Sequence, residues 1–110
     1  MDWIQLTSDH QLDQIKKDSS QHTQLIFKHS TRCATSSLAK NRLERSVAPD
    51  NLPFHFLDLI RYRNISNRIE SEFGVQHESP QVLLIRNGEC IYDESHSRIS
   101  MKEIEEQLNQ

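Results

Sequence analysis

Asn87-Gly88 lies between two apolar runs, Val82-Leu83-Leu84-Ile85 and Cys90-Ile91-Tyr92, and it constrains the fold more than any other dipeptide in the chain. Asn followed by Gly is the strongest short hairpin signal, because both residues tolerate the positive φ of a two-residue turn. The two runs must therefore pair antiparallel. Upstream the pattern changes, and strand-like runs alternate with helix-like ones. Trp3 to Leu6 reads as a short strand. Ser8 then caps a helix running to about Asp18, with Leu12 and Ile15 on one apolar stripe. Thr23 to Lys28 forms a second strand, whose Leu25-Ile26-Phe27 core is typical of a strand buried on both faces. Residues 33 to 46 read as a second helix, where Ala39, Leu43 and Val47 recur every four residues with Leu38 flanking them. Pro49 and Pro53 bracket a loop, and Phe54 to Leu59 forms a third strand. Ile65, Ile69 and Phe73 mark a third helix ended by Gly74 as a left-handed cap. Ser100 with Glu103 is a capping box, opening a last helix on which Met101, Ile104 and Leu108 face one way.

The order is β-α-β-α-β-α-β-β-α. Early strands separated by helices argue for parallel crossovers, and the late turn demands an antiparallel pair. The expected fold class is α/β: a mixed central sheet of about five strands, flanked by about four helices. A chain of 110 residues, without linker or repeat, is expected to be a single domain, residues 1–110.

Composition removes several functions. The net charge is -3, and Lys16, Lys17, Arg42, Arg45, Arg61, Arg63 and Arg68 are interspersed with acids and amides. Neither nucleic acid nor an anionic membrane is expected as a partner. The hydrophobic fraction is only 35%, but its residues fall in periodic runs, so a polar-surfaced folded domain is expected. No segment approaches the ~20 apolar residues that cross a bilayer. Met1-Asp2-Trp3-Ile4-Gln5 lacks the basic start and apolar stretch of a signal peptide. Two cysteines make no disulfide framework. A cytoplasmic, reducing location follows as the expectation.

Cys33 is the residue most suited to chemistry. It stands where the second strand gives way to the second helix, near unpaired backbone N–H groups and the positive end of the helix dipole, and both favour thiolate. Arg32 either adds positive charge or points to solvent. Ser36 lies one turn along, within reach of Cys33; it reads as a hydrogen-bond donor to the thiolate or as an ordinary first-turn serine. In either role it cannot attack a disulfide. Cys90, counted outward from the Asn87-Gly88 turn, pairs with Ile85, which is on the order of 16 Å from Pro80 at ~3.3 Å per residue. That is too far to resolve a disulfide at Cys33. Six histidines raise the question of a metal, but no His-x3-His or Cys-x2-Cys spacing exists, and none is expected to bind. His29 and His77 are expected to border the thiol, whereas His10, His22, His55 and His96 read as surface or loop residues. Trp3, at the start of the first strand, reads as core.

The element order, with a cysteine after the second strand and Ser79-Pro80 before the hairpin, resembles thioredoxin-like folds. His29-Ser30-Thr31-Arg32-Cys33-Ala34-Thr35-Ser36 and His77-Glu78-Ser79-Pro80-Gln81 together resemble the YtxJ-type monothiol bacilliredoxins, and the likeness spans essentially the whole chain. The resemblance implies a monothiol oxidoreductase that removes bacillithiol, a low-molecular-weight thiol, from mixed disulfides on other proteins. It makes Cys33 the nucleophile and Pro80 a cis-proline facing it. Cys33 and Ser36 are then the expected catalytic residues, and Arg32, Ala34, Thr35, Ser79, Pro80, His29 and His77 the expected substrate-binding ones. No cofactor beyond the thiol co-substrate is implied, the partners are S-thiolated proteins, and a monomer is expected. The family motif usually has proline after the cysteine, and this chain has Ala34, which alters local rigidity and reduction potential. Two other readings remain open. One is a glutathione-using monothiol glutaredoxin, although the Thr-Val-Pro usual there is Glu78-Ser79-Pro80 here. The other is a non-catalytic thioredoxin-fold binding module.

Overall fold

The computed structural model describes all 110 residues. Strands β1 (Trp3–Gln5), β2 (Gln24–His29), β3 (Phe54–Asp58), β4 (Gln81–Arg86) and β5 (Glu89–Ser95) form one sheet in the order β1-β3-β2-β4-β5. Helices α1 (Asp9–Asp18), α2 (Ala34–Glu44), α3 (Arg63–Phe73) and α4 (Met101–Leu108) cover it. β1, β2 and β3 are parallel, as the alternation predicts. β4, however, runs antiparallel to β2, so α3 is not a parallel crossover. The Asn87-Gly88 turn, with both residues at positive φ, reverses the chain into β5 and sets Ile85 opposite Cys90, as counted from the sequence.

β2 and β4 occupy the middle of the sheet, which is why their side chains are buried on both faces. Alternate residues go to opposite sides. Leu25 and Phe27 join Val82, Leu84, Ala39, Leu43, Met101 and Ile104 on the α2/α4 side. Ile26, Leu83 and Ile85 join Leu12, Ile15, Ile65 and Ile69 on the α1/α3 side. Each fully buried aliphatic side chain contributes about 1.5–3 kcal/mol, so these two layers supply most of the driving force. Trp3 is core, as expected: its ring stacks on Phe27 at 5.5 Å and meets Phe54 and Phe56 edge-on.

Two sequence expectations are corrected. The stripe of α2 does not reach Val47, because the helix ends at Glu44; its buried residues are Ser36, Ala39 and Leu43. Val47 and Leu38 are exposed. His55 is not a surface residue either. It is buried in β3, with its Nε2 bonded to Gln24 Oε1 at 2.8 Å. Burial pushes its pKa down to about 4, so this histidine is neutral in the folded chain at neutral pH.

Candidate active site

β2 and β4 bring the two motif segments together. Lys28 pairs with Gln81 in the β2/β4 ladder. The chain therefore leaves β2 toward Cys33 and enters β4 from Ser79-Pro80 at the same end of the sheet. A turn with Cys33 N–H donating to the Ser30 carbonyl at 3.2 Å carries the backbone from β2 into α2. Cys33 is the N-cap of α2, extended at φ -113 and ψ 117, and its sulfur makes no capping hydrogen bond. The first amides of the helix, those of Ala34, Thr35 and Ser36, find no acceptor within the chain. The thiol is partly exposed, and Arg32, Ala34 and Thr35 around it are exposed.

Ser36 sits one turn into α2, fully buried. Its hydroxyl oxygen accepts from the Ser30 amide at 3.1 Å and lies 2.6 Å from His29 Nδ1. Burial first, and the nearby Lys40 next, hold the His29 pKa below the usual histidine range, so the ring that meets the Ser36 hydroxyl is a neutral imidazole. The Ser36 hydroxyl is engaged by His29 and by the Ser30 amide, and it makes no hydrogen bond to Cys33. Within the structure Ser36 fastens the turn beneath the cysteine instead of touching the sulfur.

The Ser79–Pro80 peptide is cis. The Pro80 carbonyl accepts from His96 N–H at 3.0 Å, whereas neither backbone polar group of Ser79 has a partner within the chain. The Ser79 hydroxyl is also buried without a partner.

His29 and His77 do not converge. His29 points to the α2 side, between Ser36 and the rings of Phe27 and Phe56. His77 lies on the α3 side of the sheet, where its Nδ1 contacts Lys28 Nζ at 2.6 Å and Ser66 Oγ at 3.4 Å. No group of three or more His, Cys, Asp or Glu side chains is placed to hold a metal ion.

Lys28 is the residue that reading for function missed. It is fully buried, next to a segment the sequence analysis singled out. The available signal was its position inside a strand expected to be covered on both faces. Cys90, by contrast, is only a strand residue. It sits at the hairpin end of β4/β5, its thiol donating to the Tyr92 carbonyl at 3.3 Å and pushed up to about 11 by burial.

The largest surface cavity, about 570 Å³, opens at the other end of the sheet beside His22, Leu52, Pro53 and Phe54. None of the cavities is lined by Cys33 or Pro80. No cavity therefore encloses the partly exposed Cys33.

A cysteine capping the helix after the central strand, with a cis-proline loop entering the neighbouring strand, defines a thioredoxin-fold thiol protein. Solved structures agree. The chain is similar to a thioredoxin-fold protein assigned as an oxidoreductase, at 25% identity and a TM-score of 0.84 over 96% of this chain and 92% of the other. It also matches thioredoxin from Trypanosoma brucei brucei, with 12% identity and a TM-score of 0.75 over 98% and 88%. Thioredoxin from Fasciola hepatica gives 10% identity and 0.73 over 96% and 95%. At the level of sequence, the family of monothiol bacilliredoxin BrxC matches residues 4–104, and the chain belongs to that family.

Proposed function

We propose that this protein is a monothiol thiol–disulfide oxidoreductase that removes bacillithiol from protein mixed disulfides, with Cys33 as its nucleophile. The observation that carries the reading is a partly exposed cysteine at the start of α2, beside three unpaired amides, in a chain of the monothiol bacilliredoxin family. Those amides and the positive end of the α2 dipole lie at the end of the helix that carries the cysteine.

In the first step the Cys33 thiolate attacks the bacillithiol sulfur of a protein–bacillithiol disulfide. The old S–S bond breaks, a Cys33–bacillithiol disulfide forms, and the protein leaves as a thiolate that takes a proton from water. In the second step a free bacillithiol, deprotonated, attacks the small-thiol sulfur of that adduct. It releases bacillithiol disulfide and restores the Cys33 thiolate. Ser36 stands where a second cysteine would resolve the adduct internally, so an external thiol is required. The unpaired N–H and carbonyl of Ser79 are suited to pairing with an extended substrate strand, which would set the disulfide in line with Cys33. Arg32, Ala34 and Thr35 border the approach. The step calls on thiols alone, and it belongs to a reducing compartment, the cytoplasm, with the chain acting as a monomer.

De-thiolation of a bacillithiolated cysteine peptide by excess bacillithiol tests the reading. The intact chain is expected to turn over, Cys33→Ser to be inactive, and glutathionylated peptide with glutathione to be processed at least about tenfold more slowly, a difference of ~1.4 kcal/mol in transition-state binding. Equal or better turnover with glutathione would replace the bacillithiol assignment. An inert wild-type chain would leave a binding module.

A further inference from the structure

Lys28 is fully buried on the α1/α3 side of β2, and no carboxylate is within ion-pair distance of its ammonium. Its Nζ meets only neutral acceptors, His77 Nδ1 at 2.6 Å and Gln81 Oε1 at 3.3 Å. A buried charge held by neutral groups is expensive, and an apolar side chain of the same length would serve packing better. What the charge does obtain is a grip on one segment. Both of its partners flank Glu78-Ser79-Pro80. Gln81 carries the hold backward, its Nε2 donating to the Gln76 carbonyl at 3.0 Å. Glu70 of α3 adds a bond to the His77 amide at 2.6 Å.

We infer that Lys28 is a positioning residue for disulfide exchange: through His77 and Gln81 it fixes the Ser79-Pro80 segment beside Cys33, so that a substrate strand is received in register with the sulfur. The inference rests on the proposed function and adds to it a residue that touches neither sulfur nor substrate. Lys28 makes no hydrogen bond to Cys33 or to the turn that carries it, so its effect falls on where the substrate lies and not on the sulfur directly.

The two half-reactions separate these effects. Lys28→Met keeps length and volume and removes the buried charge and both hydrogen bonds. It leaves Gln81 and His77 without that donor, so a moderately lower unfolding midpoint is expected and the kinetic comparison is made on folded protein. Its kcat/KM for the bacillithiolated peptide should fall about tenfold or more, the scale of a misplaced reacting group. Discharge of a preformed Cys33–bacillithiol disulfide by free bacillithiol needs no substrate strand, and it should stay within about threefold of wild type. His77→Leu, at a partly exposed position, should show the same split. Hydrogen exchange supplies a readout without turnover: amides of residues 75–79 should exchange about tenfold faster in Lys28→Met, while those of Val82 to Ile85 keep their protection. Equal losses in both half-reactions, an unchanged kcat/KM, or unaltered exchange at 75–79 would each overturn the role of Lys28. A wild-type chain that fails to de-thiolate the peptide at all overturns the underlying function instead, and the positioning role with it.

Discussion

His29 Nδ1 and Ser36 Oγ lie 2.6 Å apart across the turn that carries the chain from β2 into α2. The same hydroxyl accepts from the Ser30 amide at 3.1 Å. The serine that replaces a resolving cysteine therefore does more than vacate a position, because it closes the loop on which Cys33 is mounted. Ser36→Ala would leave the half-buried Ser30 amide and the buried His29 ring nitrogen without this partner. Urea unfolding should show a loss of about 1–3 kcal/mol. Alkylation of Cys33 by iodoacetamide should stay within about threefold of wild type, since no bond to the sulfur is removed; a drop of about a hundredfold would restore a direct role for the hydroxyl.

The two cysteines should behave as different chemical species. The Cys90 thiol is held protonated to about 11 by burial, and its hydrogen goes to the Tyr92 carbonyl. At pH 7 mass spectrometry should find iodoacetamide on Cys33 well before Cys90, because thiolate is the attacking form. Cys90→Ser keeps a donor for Tyr92 and should retain de-thiolation in full, whereas Cys33→Ser should abolish it.

The layered fold was legible because its signals are local. Apolar runs of period two and four, the Asn87-Gly88 turn and the Gly74 and Ser100 caps each act over a few residues. Cys33 was legible for the same reason, as a cysteine between a strand pattern and a helix pattern. The readings that changed depend on partners far along the chain. Val47 continues the α2 period on paper, but the helix stops at Glu44 and the side chain turns to solvent. Polarity suggests an exposed His55, and only Gln24, thirty-one residues earlier, makes its burial tolerable. Lys28 and His77 are separated by forty-nine residues, so no local pattern can reveal that one holds the other. His29 and His77 flank the cysteine and proline motifs in sequence, yet strand alternation and the β2/β4 pairing send them to opposite faces.

Gly74 ends α3 at φ 66, in the left-handed region, and its amide donates to the Glu70 carbonyl at 3.0 Å. A Cβ there would meet nothing within 4 Å. Gly74→Ala therefore isolates backbone strain from crowding. The expected cost is about 1–2 kcal/mol, read as a lower urea midpoint at unchanged m value. A loss several times larger would mean that α3 and the following segment move as well, and Cys33 chemistry would then change with it.

Acid stability should carry the signature of His55. In the unfolded chain this imidazole titrates near its ordinary value of 6.5, whereas burial lowers it to about 4 in the fold, opposed only in part by Asp18. Below pH 6.5 the unfolded state takes up the proton first. The stability contribution is thus intact above that pH and is lost as pH falls toward 4, by on the order of 3 kcal/mol at ~1.4 kcal/mol per pH unit. Carboxylates across the surface also weaken in this range, so the comparison must be internal. His55→Gln removes the titration and keeps an amide donor facing Gln24. Its stability, measured by urea unfolding at pH 7, 6, 5 and 4.5, should decline less steeply than that of the wild type, with the gap opening from pH 6.5 downward. Parallel curves would mean that His55 is protonated in the fold as readily as out of it, and that the bond to Gln24 does not hold it neutral.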